Sequence, residues 1–161
     1  MKEVVVYGSR TLPANSTIDD AESVARCFSC LNYILNHIES LCGEVAIVSG
    51  MARGADFLGA SYAVMTGAVL YEHPADWKRL GQQAGFIRNI EMASRHNLIC
   101  GIQFWDGKST GTAHMRRNLD KRGIFVVDVS FSSEMFSHNA YKLTDLRFRK
   151  DALPETLDNT E

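Results

Sequence analysis

Apolar residues fall into short runs separated by longer stretches in which they recur every third or fourth position. Val4–Tyr7 is the first run, and 45–48, 68–71, 98–104 and 124–127 follow. None alternates polar with apolar, as expected of strands covered on both faces of a parallel sheet. Ala21, Val24, Phe28, Leu31, Leu35, Ile38 and Cys42 mark one apolar face of a first helix, about six turns long. Asp19 and Asp20 lie near its start, where the helix dipole favours negative charge. A second helix opens near Gly54 and turns Leu58, Tyr62 and Met65 inward, while Gly59, Ala60 and Ala63 keep it slim enough to lie close on a sheet. A third runs from about Leu80 to His96. A fourth runs from about Gly111 to Arg122, with Gly123 as a C-terminal cap.

The order βαβαβαβαβ predicts a single Rossmann-like α/β domain over residues 1–130, a doubly wound parallel sheet of five core strands. Right-handed crossovers make 3-2-1-4-5 the natural strand order. After Asp128 the pattern lapses. Residues 130–137 are Ser-rich and 151–161 acidic and polar, so 131–161 reads as a C-terminal extension with a partly disordered tail. There is no internal repeat.

Composition supports one ordinary domain. The 161 residues are 45% hydrophobic and 22% charged, which excludes wholesale disorder. A net charge of −2 excludes a general polyanion-coating role. No run of 18 apolar residues occurs, and Met-Lys-Glu-Val-Val-Val lacks the stretch a signal peptide needs. The expectation is a soluble, cytoplasmic protein with no membrane partner. The charge is uneven: residues 1–75 carry net −4, 76–150 net +6, and 151–161 net −4. A basic block can face an anionic ligand, although basic residues on exposed helices ordinarily serve solvation. Cys27 and Cys30 form a C-x-x-C inside a helical pattern with no second pair, so buried thiols are expected and no metal site.

In such folds ligands sit beyond the carboxyl ends of the strands, where the strand order reverses. That rule brings together Gly8-Ser9-Arg10, Asp106-Gly107-Lys108-Ser109-Thr110-Gly111-Thr112 and the neighbouring Ser49-Gly50-Met51-Ala52-Arg53-Gly54-Ala55-Asp56. Each segment is rich in small residues and carries one cation: Arg10, Lys108 and Arg53. Glycines allow close backbone approach, and hydroxyls and N–H groups at a helix start donate to phosphate oxygens. Any one such loop is ordinarily a tight βα turn. Three converging on one crevice argue for a nucleotide or phosphate site.

Two better-known fingerprints fail. No G-x-G-x-x-G follows the first strand, so a dehydrogenase site is not expected. Gly107-Lys108-Ser109 looks like the end of a Walker A loop, but Ile102 stands where that loop needs glycine, and the segment follows the fourth strand. Asp56 is suited either to orienting a ribose hydroxyl or to complementing the helix dipole. Trp77 and Trp105 flank the crevice and are able to stack a base, with Trp77 expected in the core. His73 and His114 lack a Ser or Cys partner at a recognisable spacing, which argues against a hydrolase triad.

Taken in order, these segments resemble a known family. Gly8-Ser9-Arg10, Ser49-Gly50-x-Ala52-Arg53-Gly54-Ala55-Asp56, Pro74-Ala75-Asp76-Trp77, Gly81-x-x-Ala84-Gly85-x-x-Arg88-Asn89-x-x-Met92 and Trp105-Asp106-Gly107-x-Ser109-x-Gly111-Thr112 are similar to the YspA/YpsA-type branch of the SLOG superfamily. That Rossmann-like group includes DprA and the LONELY GUY enzymes. The resemblance covers roughly residues 3–128. It implies a nucleotide-binding Rossmannoid domain, the ligand over the Gly-rich loops, and homo-oligomerisation. LONELY GUY enzymes cleave the N-glycosidic bond of nucleoside monophosphates with an Arg in R-K-x-x-M and a Glu in P-G-G-x-G-T-x-x-E. Arg88 and Met92 match the first motif, with Asn89 replacing its Lys. The Glu position of the second falls on Met115, which cannot carry a proton, so a hydrolase would need Asp106 or Asp56 in that role.

The leading expectation is therefore a binding or sensing module for a phosphorylated nucleoside, either a nucleoside monophosphate or an ADP-ribose-like species. Its ligand-binding residues would be Gly8, Ser9, Arg10, Ser49, Gly50, Arg53, Gly54, Asp56, Arg88, Asn89, Gly107, Lys108, Ser109, Gly111 and Thr112. A nucleotide ligand is expected, and the sequence identifies no cofactor with certainty. The alternatives are an N-glycosidic hydrolase using Arg88 with Asp106 or Asp56 as catalytic residues, and a DprA-like binder of single-stranded DNA using the 76–150 basic block.

Overall fold

The computed structural model describes residues 1–14 and 21–130 of the chain. Strands β1 (Lys2–Gly8), β2 (Val45–Ser49), β3 (Leu70–Glu72), β4 (Leu98–Trp105) and β5 (Phe125–Ser130) form one parallel sheet in the order β3-β2-β1-β4-β5. The predicted architecture and strand order are the observed ones. Asp19, Asp20 and the expected tail 131–161 lie outside the described residues.

Alternate residues of β1 supply both faces of the sheet, as strand geometry requires. Val4 and Val6 pack with Leu31, Ile34, Leu35 and Ile38 of helix α1 (Ala21–Cys42) and with Leu58 and Tyr62 of α2 (Ala55–Thr66). Val5 and Tyr7 face the opposite way, onto Met92 of α4 (Ala84–Ala93) and Met115 and Leu119 of α5 (Thr110–Lys121). Burying each such side chain contributes about 1.5–3 kcal/mol, which explains why the strand runs do not alternate in polarity. Gly59 lets α2 approach closely, since a Cβ there would lie 2.6 Å from Cβ of Val6.

Several expectations need correction. Met65 is 73% exposed instead of inward, because α2 packs on β1 and β2 and its last turn is left uncovered. The third helix is not continuous: a short α3 (Trp77–Leu80) is followed by one 3₁₀ turn over Gly81–Gln83 before α4 begins, and α4 ends at Ala93. Gly81, at φ +59°, breaks the run. Trp77 is not in the core but 50% exposed. The Asp76 carboxylate accepts the Arg79 N–H at 3.0 Å and starts α3 at the rim, so the Trp77 ring lies over Arg10, 5.8 Å from its guanidinium carbon, and not against the sheet.

The fold's order reverses between β1 and β4, and their carboxyl ends therefore open a gap. Gly54, at φ +84°, seals one side of it. A Cβ there would lie 2.3 Å from the Ser9 carbonyl oxygen, so glycine is what lets the loop after β2 lie against the loop after β1.

Candidate functional site

Ser9 ties together the three loops at the sheet's carboxyl edge. Its hydroxyl accepts the Asp106 N–H at 3.0 Å, and its carbonyl accepts the N–H of Ala55 at 3.3 Å. Ser49 is equally inward: its hydroxyl donates to the Asp56 carbonyl at 2.7 Å and accepts from the Met51 N–H at 3.1 Å. Both serines are buried, so they shape the rim from beneath.

Above them lie two adjoining hollows. The first, about 470 Å³, opens between Gly8, Arg10 and the start of α5, with Lys108, Ser109, Gly111 and Thr112 on one wall and Trp77 and Phe86 on another. The second, about 530 Å³, lies between the loops after β2 and β3 and is lined by Gly50, Met51, Arg53 and Pro74 among others. Arg10, Ala52, Trp77 and Arg88 belong to both. The three loop cations therefore do not share a single hollow. Arg10 reaches both, Lys108 only the first and Arg53 only the second. Ser9, Ser49, Gly54, Asp106 and Gly107 line neither.

Arg88 stands at the junction with nine-tenths of its side chain buried. Its Nη1 donates to the Gly50 carbonyl and lies 3.8 Å from Asp56 Oδ2, and its Nε donates to Asn89 Oδ1 at 3.1 Å. Nη2 has no hydrogen-bond partner among the described residues. A Cβ on Gly50 would lie 2.5 Å from both Nη1 of Arg88 and Oδ2 of Asp56, so glycine makes this close pairing possible. Asn89 in turn donates to the Gly111 carbonyl at 3.2 Å, which links α4 to the first turn of α5.

Burial raises the Asp56 carboxyl to about 6, against the opposing pull of Arg88, of N–H groups from Ala52 and Gly8, and of Arg10. Burial also lowers the Arg88 guanidinium. The pair is thus a strained ionic contact at the base of a cleft, a pattern associated with functional sites. Asp106 is built differently. Its carboxylate accepts from the N–H groups of Lys108 at 2.9 Å and Ser109 at 3.2 Å and from the Thr11 hydroxyl at 3.0 Å. Partial burial pushes that carboxyl up, but these bonds outweigh it and hold it below the ordinary value.

At the start of α5, Ser109 caps the helix by accepting the Thr112 N–H at 3.3 Å. Trp105 lies outside both hollows and donates through Nε1 to the Ser109 carbonyl at 3.3 Å. Phe86, which the sequence did not single out, is 43% exposed and meets the His114 ring at 4.5 Å. Its signal was the apolar pair Phe86 and Ile90, one turn apart on a helix whose buried face runs along Ala84, Arg88, Asn89 and Met92. Met51 has a positive φ of 58°, alone among the described non-glycine residues, and lies on the wall of the second hollow.

Comparison with known proteins agrees with this architecture. Residues 3–80 match the model of the YspA and cpYpsA-related SLOG family. The chain is 30% identical over 133 residues to the Gene 61 protein of Mycobacterium phage D29, an overlap of 80% of this chain and 96% of that protein. No solved structure matches the chain. Among the described residues, no helix is long and apolar enough to cross a membrane. With its five-stranded doubly wound sheet and small-residue loops gathered at the strand-order reversal, the chain belongs to the YspA and cpYpsA-related SLOG family, a group of nucleotide-binding Rossmannoid fold.

Proposed function

We propose that this protein binds a phosphorylated nucleoside in the first hollow and acts as a binding or sensing module. The observation that carries the reading is Arg88: a nearly buried guanidinium, fixed on three sides, with Nη2 and the half-exposed Trp77 ring both beside Gly85 on the wall of that hollow. An anion there gains a charge-assisted hydrogen bond of about 1.5–3 kcal/mol. Lys108 and the N-terminal turn of α5 add further positive potential. Trp77 and Phe86 supply faces for a base, each such contact contributing about 0.5–1.5 kcal/mol. Micromolar affinity needs about 8 kcal/mol, so phosphate and base contacts must act together.

Calorimetric titration with the four nucleoside monophosphates tests this. Binding of at least one, weakened tenfold or more by Arg88→Gln, is the expected result. No heat from any of them at millimolar concentration overturns it.

A second reading has one specific observation in its favour: a carboxyl raised to about 6 on the wall of the same hollow. Asp56 would then be the general acid or base of N-glycosidic hydrolysis, in which water replaces the base at the anomeric carbon. Met115, buried and lining the same hollow, provides no proton. Release of free base from a bound monophosphate, abolished by Asp56→Asn, is the outcome this reading requires.

A further inference from the structure

The second hollow is left unused by a mononucleotide held in the first. Three of its walls carry guanidinium groups, from Arg10, Arg53 and Arg88, and no carboxylate lines it. The first hollow differs: it contains Asp56 and most of the aromatic surface. The two are joined where Arg10 lies over Trp77, and these two residues line both hollows, as does Arg88. Chemistry is therefore divided between them, stacking faces and amides on one side and concentrated positive charge on the other.

We propose that the second hollow is an anion subsite, so that the preferred ligand is a nucleotide whose phosphate chain continues past its first phosphoryl group, a nucleoside diphosphate or its ester. This rests on the nucleotide reading above. The base and first phosphate occupy the first hollow, and the next phosphoryl group passes Arg10 and meets Arg53. Arg53 is exposed, so its replacement leaves the fold intact and isolates the subsite.

The experiment is a set of titrations of the nucleoside mono- and diphosphates, with ADP-ribose as the longest probe, into the wild-type chain and Arg53→Ala. The diphosphate of a nucleoside is expected to bind about tenfold more tightly than its monophosphate, the size of one added charge-assisted contact. ADP-ribose should bind at least as tightly as ADP. Arg53→Ala should remove that gain and leave monophosphate affinity within about twofold. Equal affinity of mono- and diphosphates, or an Arg53→Ala variant that weakens both alike, overturns the subsite while leaving the mononucleotide reading standing. Failure of every probe to bind the wild-type chain overturns both.

Discussion

The loop after β2 and the turn after β4 look alike in sequence and are built in opposite ways. Ser49–Asp56 and Asp106–Thr112 each carry an Asp, a Ser, two glycines and one cation. In the first, the carboxylate is buried, faces Arg88 at 3.8 Å and is raised to about 6. In the second, it lies near the surface, accepts two backbone N–H groups and a hydroxyl, and is held low. One loop is a strut between a sheet edge and a neighbouring helix. The other closes on itself and presents the start of α5. At one rim, desolvation decides whether an aspartate supports a buried cation or fastens a turn.

The largest expected effect breaks that contrast directly. Asp56→Ala strips the N–H groups of Ala52 and Gly8 of their carboxyl acceptor and should cost about 1–3 kcal/mol of stability for each. Asp106→Ala removes acceptors from groups that water reaches and should cost about 0.5–1.5 kcal/mol. Urea unfolding measures both through the transition midpoint. Equal losses would mean that the two carboxylates do comparable structural work, and the contrast would fall.

A smaller effect tests the sign of the electrostatics. Asp56 titrates higher in the folded chain than its ordinary value of 3.8, so the folded state holds the extra proton between about pH 4 and 6. Its contribution is fully present below that window and is lost as pH rises through about 6, a change of up to about 3 kcal/mol. Asp106, held low, acts in the opposite sense, its contribution being present above the ordinary value and lost as pH falls. Stability followed from pH 4 to 7 should decline more in the wild-type chain than in Asp56→Asn, while Asp106→Asn should keep the wild-type decline. An Asp56→Asn profile parallel to wild type would show that burial does not govern this carboxyl.

The sheet was legible because buried parallel strands leave a local mark, runs of Val, Ile and Phe without alternation, and chirality restricts the order in which they join. The rim was legible only as a position. Ser9 and Ser49 read as phosphate donors because hydroxyls in Gly-rich loops often are, yet their burial follows from loops lying on one another, which no local pattern reveals. Arg88 alone in a helix looks like a solvated side chain; its value came from resemblance, and its burial from the glycine at position 50, distant in sequence. Trp77 was misplaced because an aromatic residue at a rim and one in a core have the same local signature, and the deciding contact, with Arg10, joins loops far apart in the chain. The division of the cations between two hollows was invisible for the same reason.

The smallest effect separates the two loops by their tryptophans. Trp105 belongs to the self-contained turn, and Trp105→Phe removes only its bond to the Ser109 carbonyl, costing about 0.5–1.5 kcal/mol. Trp77 is half exposed between the hollows, and Trp77→Ala should change stability by less than about 0.5 kcal/mol. Its loss should instead weaken nucleotide binding about three- to tenfold, the size of one stacking contact. The chain has two tryptophans, so Trp105→Phe leaves Trp77 as the one reporter of the crevice. Its emission should change as a nucleotide is added, with a midpoint matching the calorimetric Kd. Unchanged emission in a variant that binds normally would place the base away from Trp77, against Phe86, and would assign stacking to α4 and not to the rim between the two hollows.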